Sequence, residues 1–382
     1  MMYEKYKDID RYIERLLDGS TPDKPLWNIE KIIEGKPPAW NYIDGCIITA
    51  LLELAGITGR DKYYNFAESF IDWYVHEDGS IVGYSPEKYN LDDVNEGRVL
   101  FDLYKSTGKE KYRKAIELLH EQLENQPRTD TGNFWHKKIY PNQIWLDGLY
   151  MAQVFYLRYQ QEFGNGDCSD TMDQIRNARR LMFDENKKLY YHGCDCSRTA
   201  FWADKKTGCS KNFWLRSIGW FTVTLADLID YVNNDSDRNE LIGLFREIIE
   251  GIAQYADPQT GMYYQVVDCG GREGNYLETS GSSMIAYAMM KGARLGVLDS
   301  KYSETGHRTF DGICNKYLKI NENGELALGG ICLVAGLGPE NNKRRDGTYE
   351  YYISEPVVDN DAKGVAPFLL CYTEVMRRIR QQ

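Results

Sequence analysis

Six stretches of this chain open with aromatic or charged residues and continue as mostly apolar helices: residues 40–54, 90–104, 144–159, 213–228, 277–292 and 358–374. A helix without a polar face is buried. Between them lie stretches whose charged residues keep to one face, such as 61–75, 110–123, 238–255 and 301–318. A helix of that kind covers a core and faces water. Six buried helices alternating with six amphipathic ones predict an all-α fold, an (α/α)6 barrel, in which six hairpins form a toroid.

The joints of the hairpins repeat. LAGITGRDKY, starting at Leu54, aligns with LYKSTGKEKY, starting at Leu103, and LGVLDSKY, starting at Leu295, is a weaker echo. In the first two, a glycine stops one helix and an acidic residue sits in the first turn of the next. Each buried segment also carries a glycine near its opening: Gly45, Gly97, Gly148, Gly219, Gly281 and Gly364. Repeated hairpins make the inner helices parallel, so their N-terminal ends gather at one mouth. Helix N-termini favour an anion there, and function is expected in that pit.

Composition narrows the picture. The 382 residues exceed an ordinary domain, but 11 prolines and no low-complexity stretch leave no linker, so residues 1–382 are expected to form one domain. Net charge is −11 and no basic stripe is present, which argues against a nucleic-acid partner. An acidic chain must build any positive potential locally, so an Arg or His beside the pit is informative. The longest apolar-rich run, 46–56, falls far short of the roughly 20 residues of a membrane span. Residues 1–18 are charged and lack the apolar segment of a signal peptide, and nine cysteines form no framework spacing. A cytoplasmic protein with reduced thiols is expected. The 29 tyrosines and 8 tryptophans suit both core packing and stacking on sugar rings.

Several residues stand out at the helix openings. Asp147, in QIWLDGLYM (143–151), begins a buried helix, where an Asp is most often a cap. Arg216, in WLRSIGW (214–220), is costly in a buried opening unless it meets an anion, either an internal carboxylate or a ligand. Asp92 and Asp93 adjoin in NLDDVNEG (90–97); neighbours diverge by about 100° on a helix, so only one faces the pit. His136 and His192 precede the third and fourth inner segments, each beside aromatics. His192 with Cys194, Cys196 and Cys209 has no standard zinc spacing, and no metal is expected. No phosphate loop, serine elbow or His-Glu-x-x-His is present. The stretch 336–355 reads as a long loop with Lys343, Arg344 and Arg345, either functional or simply solvated.

In order and combination, Trp40-Asn-Tyr42, Leu91-Asp92, Phe134-Trp-His136, Trp145-Leu-Asp-Gly-Leu-Tyr-Met151, Tyr191-His192, Thr207-Gly-Cys209, Trp214–Trp220 and Leu277-Glu-Thr-Ser-Gly281 resemble the unsaturated rhamnogalacturonyl hydrolases, glycoside hydrolase family 105. The likeness runs from Trp40 to about Glu374 and departs most over 336–352. It implies the (α/α)6 barrel and the hydration of a C4=C5 double bond on the unsaturated uronic acid that a lyase leaves on pectin fragments. By resemblance Asp147 is the proton donor and Asp92 the second carboxylate. Trp40, Tyr42, His136, Trp145, His192, Arg216 and Trp220 would hold the sugar, and no cofactor is needed. A donor must be protonated, so the pKa of Asp147 is expected to be raised, by burial and by Asp92. An unsaturated glucuronyl hydrolase would share this chemistry with a different leaving sugar. A sugar epimerase or a sugar-binding toroid is the reading from another class; an epimerase would use His pairs rather than an acidic pair with Arg.

Overall fold

The computed structural model describes residues 6–381. Helix α1 (Lys7–Asp18) and the short α2 (Ile29–Glu34) come first. They are followed by α3 (Tyr42–Thr58) with α4 (Asp61–Tyr74), and by α5 (Asp92–Asn95) and α6 (Arg98–Thr107) with α7 (Glu110–Glu124). Next come α8 (Leu146–Glu162) with α9 (Ser169–Met182), α10 (Leu215–Leu228) with α11 (Asp235–Ala253), and α12 (Thr279–Arg294) with α13 (Lys301–Tyr317). A short α14 (Tyr349–Ser354) precedes α15 (Ala362–Gln381).

Contacts between the apolar helices close a ring. α3 packs on α15, α15 on α12, α12 on α10, α10 on α8, α8 on α5, and α5 and α6 return to α3. The second member of each hairpin packs outside its predecessor. The expected (α/α)6 toroid is therefore present, and the strands among the described residues are four two-stranded ribbons. The twelfth helix is α1: its stripe Ile9, Tyr12, Ile13, Leu16 and Leu17 is buried, and Tyr372 of α15 donates to Asp10 at 3.0 Å. No helix among the described residues is long and apolar enough to cross a membrane.

Two elements differ from the expectation. The segment 90–104 is not one α-helix: α5 and α6 are separated at Glu96–Gly97, where the amides of Gly97, Val99 and Leu100 bond three residues back. This tightened turn accompanies the buried Glu96 carboxylate, which leaves the helix to accept the Asn41 amide at 2.8 Å. Within 336–355, Thr348 caps α14 by accepting the Tyr351 amide, so part of the predicted loop is helical. Inside the ring, below the mouth, Asp227 of α10 bonds Arg98 of α6 at 2.7 Å and Lys291 of α12 at 2.8 Å. These two cations outweigh burial and hold the Asp227 carboxyl below its ordinary pKa.

Candidate active site

The inner helices begin where extended chain meets them. Gln143–Trp145 pairs antiparallel with Gly193–Asp195, placing Trp145 opposite Gly193. The Leu146 amide then donates to the His192 carbonyl at 3.1 Å. That register sets His192 beside Asp147: His192 Nε2 lies 3.2 Å from Asp147 Oδ2. The other ring nitrogen, Nδ1, is 2.7 Å from the Tyr352 hydroxyl, so tyrosine, imidazole and carboxylate form a line. Asp147 is the second residue of α8, yet no side chain caps that helix. Gly148 is required next to it, because a Cβ there would approach His136 Nδ1 to 2.8 Å.

Of the adjacent acids, Asp92 is the one turned toward the histidines. Its Oδ1 is 3.8 Å from His136 Nε2 and its Oδ2 accepts from Lys137. Asp93 is buried on the other side, where its carboxylate accepts from Asn90 at 2.9 Å. Burial, then the Asp92 charge, push its pKa to about 7. The Leu91 amide donates to the His136 carbonyl, which ties the two acidic residues to the histidine segment.

Arg216 is 2% exposed and makes no salt bridge among the described residues. Its Nη1 donates to the Cys332 carbonyl and reaches the Ser280 hydroxyl at 3.5 Å, and its guanidinium lies 4.9 Å from the Trp214 ring. The nearby Glu278 is already occupied, accepting from Ser280, the Gly281 amide and the Cys332 amide. The internal ion pair that the sequence left open is therefore not formed. Tyr42 stands edge-on to Trp220 at 6.2 Å, and its hydroxyl pKa is raised well above the ordinary value by burial, then by Asp92, against the pull of Arg216. Trp220 stacks on Tyr150 at 4.2 Å, and Trp145 on His136 at 4.4 Å.

The structure thus brings together Asp147, Asp92, Tyr42, His136, Trp145, His192, Arg216 and Trp220. Trp40 is different. It packs edge-on against Tyr74 at 5.9 Å and donates to the Asp93 carbonyl at 2.8 Å, so it braces the acidic turn from behind instead of offering a stacking face.

Two electrostatic expectations are corrected. Burial does push the Asp147 pKa up, but the charge and hydrogen bond of His192, with His136, outweigh it, and the net direction is down. The largest influences on Asp147 come from burial and the two histidines, while Asp92 is held by Lys137 and faces His136. Burial also pushes His136 down to about 4, so this histidine bears on Asp147 only in the acid range and is neutral near pH 7. The cation beside it is Lys137, held above its ordinary value by Asp92 despite burial. Sequence reasoning passed over Lys137 and Tyr352. The first could have been found, since it follows His136 directly; the second is 160 residues from its histidine. Among the described residues no group of three or more His, Cys, Asp and Glu side chains is placed to hold a metal ion. Cys194 and Cys209 donate to the Thr207 and Leu181 carbonyls.

The sequence profile of glycosyl hydrolase family 88 matches residues 22–379. A family 105 glycoside hydrolase from C. acetobutylicum ATCC 824 has 43% identity over 88% of this chain and 93% of its own, with a TM-score of 0.85. The unsaturated rhamnogalacturonyl hydrolase YesR of Bacillus subtilis (strain 168) is 26% identical over 266 residues, 67% of this chain and 72% of that protein. The unsaturated glucuronyl hydrolase of Bacillus sp. GL1, at 14% identity over 87% of this chain and 86% of its own, shares the fold with a TM-score of 0.60.

Proposed function

The chain belongs to glycosyl hydrolase family 88 and to glycoside hydrolase family 105, and from that premise we propose that it hydrates the C4=C5 double bond of an unsaturated galacturonic acid at the non-reducing end of lyase-made rhamnogalacturonan oligosaccharides. The product is 5-keto-4-deoxyuronate. The likeness to YesR supports this leaving chain over a glucuronide. The nine unbridged cysteines support a reducing compartment, the cytoplasm.

The observation that carries the reading is the Asp147 carboxyl group, whose neighbour His192 packs on the same Trp214 ring as Arg216, a buried arginine that forms no salt bridge among the described residues. The ring oxygen on C5 makes the double bond a vinyl ether, electron-rich at C4. Asp147 gives its proton to C4, and positive charge develops on C5 and the ring oxygen. Water adds at C5 while the Asp147 carboxylate takes its proton, so the acid is regenerated. The hemiketal opens, C1 is freed as an aldehyde, and the leaving sugar departs with a proton. No displacement occurs at C1, so the carboxylate-separation rule of ordinary glycosidases does not apply.

Arg216 neutralises the substrate carboxylate, for which its fork geometry is suited. Tyr42, Trp145 and Trp220 border the ring, and Lys137 donates to the Asp92 carboxylate next to neutral His136. In the free protein His192 favours the Asp147 carboxylate. A bound uronate brings a like charge and expels water, and both raise the Asp147 pKa toward the protonated form the first step needs. After transfer, His192 stabilises the carboxylate that results.

The test is loss of ultraviolet absorbance on an unsaturated rhamnogalacturonan disaccharide, with the saturated analogue inert. Equal cleavage of both would refute hydration. Clear preference for a lyase-made disaccharide that carries the same unsaturated ring on a leaving sugar other than rhamnose would replace the leaving-chain assignment.

A further inference from the structure

The loop before α14 carries three cations in a row, and their partners differ. Lys343 lies 3.3 Å from Glu340 and Arg344 lies 2.9 Å from Glu355. Arg345, half-buried, forms no salt bridge among the described residues. The adjacent Asp346 forms no salt bridge with it among the described residues; its Oδ1 accepts from the Thr348 amide at 2.9 Å and hydroxyl at 2.7 Å.

The loop is clasped so that Arg345 meets the site wall. The Gly338 amide donates to the Arg345 carbonyl at 2.7 Å, and the Gly336 amide donates to the Tyr351 hydroxyl at 2.9 Å. Arg345 Nη1 and the outer edge of the Trp145 indole each lie 3.4 Å from the point where a Cβ on Gly336 would sit. Guanidinium and indole therefore flank the same residue. Trp145 belongs to an apolar cluster with Tyr140, Trp202 and Leu337, against which Phe201 packs, and Lys343 lies 6.0 Å from the Phe201 ring. This is an aromatic wall edged with positive charge, built from residues other than the Arg216 neighbours Cys332, Ser280 and Trp214, in a protein whose net charge is −11.

We propose that Arg345 binds a second anionic group, a uronate carboxylate in the leaving part of the substrate, beyond the unsaturated ring. This rests on the function proposed above. A half-buried guanidinium left without a carboxylate gains most from a ligand that supplies one, through a charge-assisted and bidentate hydrogen bond.

Native protein and Arg345→Gln are compared on three lyase-made substrates. One has galacturonate as the next sugar, one is the disaccharide ending in neutral rhamnose, and one is the rhamnogalacturonan tetrasaccharide with a galacturonate further along. The expected result is a loss of at least about tenfold in kcat/KM, carried by KM, on an acid-bearing substrate, with the neutral disaccharide unchanged. Arg345→Lys should retain part of the effect. Which acid-bearing substrate responds locates the carboxylate. An equal change on all three substrates, including no change or a uniform loss with lowered melting temperature, overturns the inference alone. If native protein turns over none of them, the proposed function falls and this inference with it.

Discussion

Replacing Asp147 by Asn separates a proton donor from a structural acid. The change keeps the side chain's shape and removes its proton. No helix cap is lost, because no capping side chain accepts from the amides at the α8 N-terminus. What changes is the 3.2 Å contact with His192, for which about 1–3 kcal/mol is an upper bracket. In a chain of 382 residues that corresponds to a fall of only a few degrees in melting temperature, since about 1 kcal/mol moves Tm by roughly 2–4 °C even in smaller proteins. Removing a general acid should cost at least about a hundredfold in turnover, or about 2.7 kcal/mol of barrier. The assay is the decay of the double-bond absorbance, with calorimetric binding and thermal melting on the same samples. Native reaction in D2O should place deuterium at C4 of the product. Near-native turnover of Asp147→Asn would refute the assignment and make Asp92 the next candidate. A loss of activity that merely follows a loss of binding and folding would refute it as well.

Three further outcomes follow from the site's electrostatics. His192→Gln removes the group that outweighs burial at Asp147, so the Asp147 pKa should rise and the alkaline limb of kcat/KM against pH should move to higher pH; a limb that stays in place would show that His192 does not control the donor. Asp93 has a folded pKa of about 7 against roughly 3.9 unfolded, so the folded state holds an extra proton between those values and stability falls as pH rises through that window. Asp93→Asn should therefore melt above the native protein at pH 8 and alongside it at pH 4, and an equal gain at both would contradict the burial argument. Prolonged EDTA treatment should leave activity intact, whereas loss that zinc restores would assign a metal to Cys194, Cys196 and Cys209.

The toroid was legible in the sequence because burial on all faces leaves a one-dimensional record. A helix inside a ring has no polar stripe, and the 40–54 and 277–292 segments show this without any knowledge of their neighbours. Asp147 and Arg216 were legible for a related reason: a charge at the opening of such a helix is costly, so it needs an explanation. The role of α1 was not legible. Its apolar stripe says that it is covered, but its contact with α15 spans 362 residues, and only closure of the ring selects that partner. The break at Glu96–Gly97 was hidden because its cause is an amide on a different helix, Asn41.

Charge state was decided by tertiary structure almost entirely. Two acids next to helix openings suggested mutual repulsion, yet Asp92 pairs with Lys137 and Asp147 with His192, so their energies are set by different neighbours. The choice between Asp92 and Asp93 depended on a turn hung from the His136 carbonyl, which spacing does not encode. Residue identity and periodicity determined which elements form and which side chains demand partners. Distances, and therefore pKa directions and the line from Tyr352 through His192 to Asp147, appear only when distant segments are packed. Electrostatic interaction falls with separation and depends on local burial, and neither quantity is written along the chain.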